Sequence, residues 1–372
     1  MMRSLYGRMA ELEQARRPFA LATVVRTHGS TPQVVGAKLL VTDEDERGKA
    51  AGTLGGGCVE ADAIHAARQV LREGGRSLRA YELTEDLAWN TGLVCGGTMW
   101  ILAERGEDAL SSGGRSVSAD LARAADGGAP LAITTLLHRS GRDVAFAGRA
   151  FVDAEGRVNG SLGNAQIDRR AATAAVEQLP HATPRVVSLD DRHDLLIDPV
   201  AGRPQLVVAG GGHVALAIAR QAGLLDFDVT ILEDRPEFAD PERFSGARVL
   251  QGDVPASIGA FEYGWSSYVV IATRGHKLDA DCVLAAVKTR ARYIGVLGSR
   301  RKTVLLEKML REEGVNDGRI RAIHAPVGLD LGGRTPAEIA LSVLAEITQE
   351  RYRATGRPLR LRGDIRGLPG HE

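Results

Sequence analysis

The stretch 205–215, QLVVAGGGHVA, decides the fold of the carboxy-terminal half of this chain. An apolar strand pattern runs into a glycine turn and then into a helical pattern, so Gly210, Gly212 and Ala215 match a G-x-G-x-x-A fingerprint. The first glycine permits the tight turn, the second lets backbone amides approach a pyrophosphate, and the small third residue lets helix and strand pack closely. The stretch predicts a phosphate-binding turn, although a turn kept only for packing would show the same pattern.

Strands and helices alternate on the carboxyl side of this turn. We predict strands at 205–209, 228–232, 248–250, 267–272 and 293–297, and helices near 213–222, 279–290, 301–313 and 336–352. Apolar strands separated by helices are typical of a doubly wound parallel sheet, and the glycine turn makes this a Rossmann-type α/β domain. Glu233 ends the second strand, where a ribose-binding carboxylate belongs, and His213 opens the first helix beside the turn.

Two later loops leave the predicted strands at the same carboxyl edge of the sheet. The sequence GSRRK at 298–302 combines a glycine, a capping serine and cations at the start of a helix. That combination attracts anions, but it also fits a solvated basic first turn. Its candidate ligand-binding residues are Gly298, Ser299, Arg300 and Lys302. His276 follows another strand and is a candidate base or ligand, although a surface or capping histidine would show the same pattern.

The amino-terminal half has a different motif, GTLGGGCVE at 52–60, in front of a helical pattern. The glycines before the cysteine are Gly55, Gly56 and Gly57. They gather backbone amides at a helix start, which favours the thiolate form of Cys58, whereas a packed, unreactive cysteine is the alternative. Glu60 is a candidate catalytic carboxylate beside the thiol, or an acid that only serves the first helical turn.

The remaining cysteines differ in context. Cys95 precedes two glycines and is a second candidate chemical residue, whereas Cys282 lies in an apolar helical pattern and is predicted to be core. Three cysteines form neither a disulfide framework nor the paired spacing of a zinc site. We therefore expect a reducing compartment and no dedicated metal site in the protein.

Charge and length exclude several classes of function. The chain has 372 residues, with 47 Lys+Arg against 47 Asp+Glu and a formal net charge of zero. A nucleic-acid-binding protein needs a surplus of cations, so nucleic acid is not an expected partner. No apolar run approaches about 18 residues, so we expect a cytoplasmic protein that does not enter a membrane.

The length predicts at least two domains. We place an α+β domain at 1–200, with a linker-like stretch near 106–128, and the Rossmann-like domain at 203–352. The basic, glycine- and proline-marked tail at 353–372 is predicted to be disordered. The sequence shows no internal repeat.

Six stretches together resemble the XdhC and CoxI family, the accessory proteins of xanthine dehydrogenase and related molybdenum hydroxylases. They occur in the family's order and span both halves of the chain. They are HGSTPQVVGAKLLV, GTLGGGCVEADA, LVCGGTMWILAE, RPQLVVAGGGHVALAIA, YIGVLGSRRKTVLLEKML and IHAPVGLDLGGRTPAEIALSVLAEI. The resemblance implies a CoxI-type amino-terminal domain followed by a Rossmann domain.

The resemblance also implies a function and a set of residues. Family members bind molybdenum cofactor, protect its sulfurated form and insert it into the apo-hydroxylase, acting as chaperones. Cys58 and Cys95 match the family's two cysteine motifs, and Glu233 matches the acid after the second Rossmann strand. Arg274 stands where the family often has histidine, and Gln33 where a basic residue is common.

The hypothesis that follows is a cofactor chaperone. Cys58 would protect or help to transfer the metal–sulfur end of molybdopterin, as mono- or dinucleotide, while the loops at 210–215 and 298–302 hold phosphates. The expected partners are a xanthine dehydrogenase-type hydroxylase, a cysteine desulfurase and a second copy of the chain in a homodimer. Two alternatives stay open: an NAD(P)-dependent oxidoreductase, and a non-catalytic scaffold between the desulfurase and the apo-hydroxylase.

Overall fold

The computed structural model describes residues 5–43, 50–83, 97–112, 114–141 and 143–358. The chain divides into two compact units, Met1–Arg203 and Pro204–Glu372. Cys95 and the greater part of the predicted disordered tail, 359–372, lie outside the described residues. No helix within the described ranges is long and apolar enough to cross a membrane.

The amino-terminal unit contains two antiparallel sheets and a small hairpin. Its strands are β1 (Phe19–His28), β2 (Lys38–Thr42), β3 (Ala51–Gly52), β4 (Arg76–Glu82), β5 (Thr98–Arg105), β6 (Ser111–Ser112), β7 (Arg115–Ser116), β8 (Leu131–Ser140), β9 (Asp143–Asp153), β10 (Val158–Ser161), β11 (Arg185–Ser188) and β12 (His193–Val200). Its helices are Leu5–Gln14, Gly57–Glu73, Gly106–Ala109, Ser118–Ala125 and Ala165–Gln178, followed by a 3-10 turn at Leu179–His181.

The two sheets of this unit repeat one design. Their strand orders are β3-β2-β1-β5-β4 and β10-β9-β8-β12-β11, and all neighbours are antiparallel. A long helix follows the third strand of each sheet, and a shorter helix precedes the first strand of each. Residues 5–105 and 118–200 are therefore two copies of one module, which we call the first and second modules. The expectation that the chain has no internal repeat was wrong.

The modules are joined by two reciprocal buried ion pairs. Lys38 on β2 pairs with Asp198 on β12, and Arg149 on β9 pairs with Glu104 on β5 at 2.6 Å. In each pair the second strand of one module supplies the cation and the fifth strand of the other supplies the carboxylate. All four side chains are at most 8% exposed. Such pairs stabilise a structure only while both partners are present, because an unpaired buried charge is costly.

The stretch 106–128 is not linker-like, which corrects the sequence-based interpretation. Leu110, Val117, Leu121 and Ala124 are each at most 2% exposed and belong to one apolar cluster with the first helix and the sheets. The serines and glycines of this segment are typical of a linker. Its apolar side chains, however, recur at helical spacing and bury one face of a helix.

The carboxy-terminal unit has the predicted architecture. Six parallel strands, β13 (Gln205–Ala209), β14 (Asp228–Glu233), β15 (Arg248–Gln251), β16 (Ser267–Ile271), β17 (Tyr293–Val296) and β18 (Ile323–His324), form a sheet in the order β15-β14-β13-β16-β17-β18. Its helices are His213–Leu224, Val254–Ala260, His276–Ala286, Arg300–Glu312, Asp317–Arg321 and Pro336–Tyr352.

Two apolar clusters cover the two faces of this sheet, as expected for a doubly wound fold. Cys282 is fully buried in one of them, which confirms its prediction as core. The α/β fold class with a Rossmann-type carboxy-terminal sheet and an α+β amino-terminal part is confirmed.

Candidate functional site

The turn before the helix Gly57–Glu73 is built around one carboxylate. Glu60 Oε2 accepts hydrogen bonds from the Thr53 hydroxyl at 2.7 Å, the Leu54 amide at 2.7 Å and the Gly56 amide at 3.1 Å. Leu54 is fully buried and anchors the turn in the core of the first module. Burial of Glu60 opposes its ionisation, but these three hydrogen bonds outweigh that cost and lower its pKa. Glu60 therefore holds the turn, which is one of the two roles that the sequence left open for it.

The three glycines have left-handed backbones, with φ of 102° at Gly55, 76° at Gly56 and 67° at Gly57. Such values favour glycine because a Cβ makes them costly. The sequence-based expectation was that these glycines turn their amides onto the thiol. The Gly56 amide instead donates to Glu60, and the Gly55 amide donates to Thr53. The glycines therefore shape the turn around the carboxylate.

Cys58 is exposed and is the second residue of its helix. The residue at the N-cap position, Gly56, offers no side chain to cap the helix. Helix N-termini leave amides without a partner inside the helix, and a side-chain oxygen usually satisfies some of them. The turn therefore displays a thiol at a helix start that no side chain caps.

The second module contains the same turn at 160–168, GSLGNAQID. There Asp168 accepts from the Ser161 hydroxyl at 2.9 Å and the Leu162 amide at 2.7 Å, and Gly163 donates to Ser161. Asn164 occupies the N-cap position, and its side chain accepts from the amides of Gln166 and Ile167. These amides are the counterparts of those of Cys58 and Val59 in the first turn.

The glycine turn of the carboxy-terminal unit lies at the carboxyl end of β13. Gly210 has φ of 110°, and a Cβ there would lie 2.5 Å from the carbonyl oxygen of Ala272, so only glycine fits. Gly212 is the N-cap of the helix His213–Leu224, and a Cβ on it would meet no atom within 4 Å. Ala215 is buried where the helix meets the sheet. The turn therefore leaves open space at Gly212, at the positive end of a helix.

Glu233 does not offer a free carboxylate to a ribose in this structure. It is 2% exposed, and its oxygens accept from the Gly211 amide at 2.5 Å and from the backbone and guanidinium of Arg235 at 2.9–3.1 Å. Burial opposes the charge, but a set of hydrogen bonds led by those of Arg235 lowers the pKa of Glu233 from 4.5 to about 2. Glu233 thus fixes the glycine turn, and a ribose hydroxyl would have to displace Arg235.

Lys302 is engaged within the protein as well. Its ammonium pairs with Asp279 and donates to the Leu297 carbonyl at 3.2 Å, while Thr273 donates to Asp279 at 2.6 Å. Asp279 is 1% exposed. The predicted phosphate-binding cation therefore ties the loop after β17 to the loop after β16.

The other predicted residues of this edge lie in more open positions. Ser299 caps the helix Arg300–Glu312 by accepting from the Lys302 amide, and Gly298, Arg300 and Arg301 are exposed. His213 is exposed at the start of its helix. Arg274 pairs with Asp234 at 3.4 Å, which links the loops after β16 and β14.

His276 begins the helix His276–Ala286, but its side chain lies outside the described part of the structure. Among the described residues, no group of three or more His, Cys, Asp or Glu side chains could hold a metal ion. Cys95 cannot be placed beside Cys58, because it falls outside the described ranges.

Sequence reasoning missed the residues that hold the candidate ligand-binding ones in place. Arg235 and Asp279 were not singled out, although Arg235 stands two residues after Glu233 and Asp279 in the first turn of a helix. The partner turn 160–168 was also missed. Its signal is the repeated G-[ST]-L-G, with an acid eight residues after the first glycine.

Each of the two units matches the model of a known protein family. Residues 206–347 match the model of the XdhC Rossmann domain, and residues 12–82 match that of the XdhC and CoxI family. The uncharacterized protein YqeB of Escherichia coli (strain K12) is 31% identical over 243 residues, which is 61% of this chain but only 44% of that relative's length.

Two further relatives match over nearly the whole chain. A protein of Bacillus subtilis (strain 168) named as a probable xanthine dehydrogenase subunit is 26% identical over 352 residues, covering 90% of this chain and 93% of that protein. A solved structure from Bacillus halodurans, described as a xanthine dehydrogenase, has the same fold with a TM-score of 0.53 at 22% identity, covering 95% and 98% of the two chains. With both of its units matched, this chain belongs to the XdhC and CoxI family.

Proposed function

We propose that this protein is an accessory protein of a xanthine dehydrogenase-type molybdenum hydroxylase, and that it binds molybdenum cofactor and inserts it into that enzyme. Its family membership and a relative whose name assigns it to xanthine dehydrogenase support the hydroxylase as partner. The sulfurated form of the cofactor is the proposed cargo. The proposed working form is a soluble cytoplasmic homodimer, and a cysteine desulfurase is a second proposed partner.

The observation that carries the proposal is the open space at Gly212. Backbone amides at a helix start bind phosphate groups when no side chain stands in the way. A Cβ on Gly212 would point into that space without touching the protein, so the absence of a side chain there serves no packing need. Molybdopterin carries a phosphate or, as a dinucleotide, a pyrophosphate, and either group suits this turn.

Residues in each of the two units have a proposed role toward the cargo. The Gly212 turn would hold phosphate oxygens, and the exposed Arg300 and Arg301 would add positive charge. Cys58 would protect the metal–sulfur end or help to transfer it, because a thiolate is a soft ligand that suits molybdenum and sulfur. The bound cofactor would itself supply the redox chemistry of the hydroxylase, and the chain would only bind, shield and release it.

The rival assignment as an NAD(P)-dependent oxidoreductase lacks its expected ribose contact. The oxygens of Glu233 already accept from Gly211 and Arg235, so a ribose diol gains nothing there without breaking those bonds. No observation favours hydride transfer over cofactor carriage.

The test is the pterin content of protein purified anaerobically from a host that makes molybdenum cofactor, after oxidation to the fluorescent form. We expect near-stoichiometric pterin in the wild type and a loss of about tenfold in Gly212→Val, because the branched side chain blocks the approach to the amides. Gly223→Val is the matched control, since a Cβ at Gly223 on the same helix also meets no atom within 4 Å.

A second pair of variants addresses the thiol. We expect Cys58→Ala to lose pterin and the ability to activate apo-hydroxylase, while Gln166→Ala, at the equivalent position of the second module, keeps both. Wild-type protein without pterin, even after cofactor is added in vitro, would overturn the proposal. In that case NAD(P) binding with carbonyl reduction would support the oxidoreductase, and partner binding alone would support the scaffold.

A further inference from the structure

The two equivalent turns differ in one hydrogen bond. In both, the carboxylate accepts from a hydroxyl and from the amide of a buried leucine: Glu60 from Thr53 and Leu54, Asp168 from Ser161 and Leu162. Only Glu60 is found to make a third bond, to the amide of the N-cap residue Gly56. The extra methylene of glutamate gives the longer reach that this bond requires.

The third bond is made by the amide of a residue whose backbone conformation is costly for any residue but glycine. Gly56 has φ of 76° and ψ of −173°, a backbone region that is open almost only to glycine. Asn164, its counterpart, has an ordinary extended backbone and caps the following helix with its own side chain. Without such a cap, the start of the first helix depends on how Gly56 is held.

The fold itself does not require the third bond. The second module forms the same turn, with its leucine just as buried, from two carboxylate bonds and an asparagine cap. What the first turn gains is a fixed, uncapped helix start that carries an exposed cysteine.

We propose that Glu60 is a positioning residue: its bond to the Gly56 amide orients the first helical turn so that Cys58 meets the cofactor. This inference rests on the proposed function, because it assigns Glu60 a task only if Cys58 contacts the cargo. Glu60 acts through the backbone, and no proton transfer is assigned to it.

The test exchanges the acids between the turns. Glu60→Asp keeps a carboxylate of the length that suffices for the two shared bonds in the second module, but shortens its reach to Gly56. We expect its urea unfolding midpoint to stay near that of the wild type, while its pterin content falls about fivefold, since a contact held loosely loses binding. Asp168→Glu is the matched control, and we expect it to change neither quantity.

A readout that needs no cofactor separates this inference from the proposed function. Amide hydrogen exchange of the peptide covering 53–60 should be faster in Glu60→Asp, with no change in the peptide covering 161–168. If the wild type carries no pterin, the proposed function fails, and the positioning of Cys58 toward a cofactor fails with it whatever the exchange shows. If the wild type carries pterin and Glu60→Asp keeps both the pterin content and the exchange rate, only the role of Glu60 is overturned. A pterin loss that Asp168→Glu shares would also overturn it, because the effect would then be one of general stability.

Discussion

The turns 52–60 and 160–168 are the same structure with two different endings. Each begins with a left-handed glycine, buries a leucine and closes on a carboxylate that accepts from the hydroxyl and the leucine amide. They part at the next three positions, where GGC in the first stands against NAQ in the second. The shared positions are those that the fold requires, and the differing positions are free to serve another purpose.

The second ending is the one expected of a purely structural turn. Asn164 caps two amides of its helix, a contact that contributes about 1 kcal/mol in typical helices. The first module lacks that cap, holds three successive glycines with positive φ and exposes a thiol at the same place. Stability has been given up locally in the first turn, which is common where a protein binds something.

The largest effects should come from the ion pairs that join the two modules. Asp198→Asn leaves the Lys38 ammonium buried without its counter-charge, and we expect it to lower the free energy of unfolding by about 3–5 kcal/mol. Glu104→Gln should also be costly, because it leaves the buried Arg149 without its counter-charge and removes the ion pair of Glu104 with Arg76 at 3.0 Å. Urea unfolding of the full chain measures both losses.

The two ion pairs occupy equivalent positions in the two modules, so the prediction applies to both. Two reciprocal pairs that bind equivalent strands should both matter, and a loss below about 1 kcal/mol in Asp198→Asn would mean that the pair behaves like an exposed one. Arg157→Ala, which removes an exposed pair with Asp153 in the second module, is the control and should leave the free energy of unfolding close to that of the wild type.

The sequence predicts the parts of this fold that local rules decide. The Rossmann turn was predictable because the G-x-G-x-x-A spacing stands between an apolar strand pattern and a helical pattern, and because apolar strands alternate with helices. The duplication was missed because it is a repeat of strand order, which pairs strands that are far apart along the chain. Together with the repeated turn at 52–60 and 160–168, the strand order and the reciprocal ion pairs show that 5–105 and 118–200 correspond.

The candidate site shows the same limit at the level of single side chains. The position of Glu233 at the end of β14 was predicted, but its hydrogen bonds to Arg235 and Gly211 depend on side-chain conformations that spacing does not determine. Lys302 was likewise placed in the right loop, and the pairing with buried Asp279 became visible only in three dimensions. Sequence patterns located these residues and could not decide what they already bind.

Substitutions at the two helix starts should each lower the stability of the protein by a smaller amount, and for different physical reasons. Asn164→Ala removes the cap and should destabilise the protein by about 1 kcal/mol. Gly56→Ala meets no atom within 4 Å, so its cost of about 1–2 kcal/mol should come from the left-handed backbone alone. Gly56→Ala as stable as the wild type in urea would mean that this backbone conformation is not held in solution.

The smallest effect concerns pH and the acid of the first turn. The pKa of Glu60 lies below its ordinary value of 4.5, because hydrogen bonds to the carboxylate outweigh its partial burial. A carboxyl group with a lowered pKa stabilises the fold above its unfolded pKa, and that contribution disappears as the pH falls through the folded pKa. Glu60→Gln should therefore be less stable than the wild type by a constant amount above pH 4.5, and the difference should shrink in more acidic solution. Urea unfolding of both proteins from about pH 6 to about pH 3.5 measures this convergence. Parallel curves would mean that the three hydrogen bonds hold the first turn equally well whether or not Glu60 carries a charge.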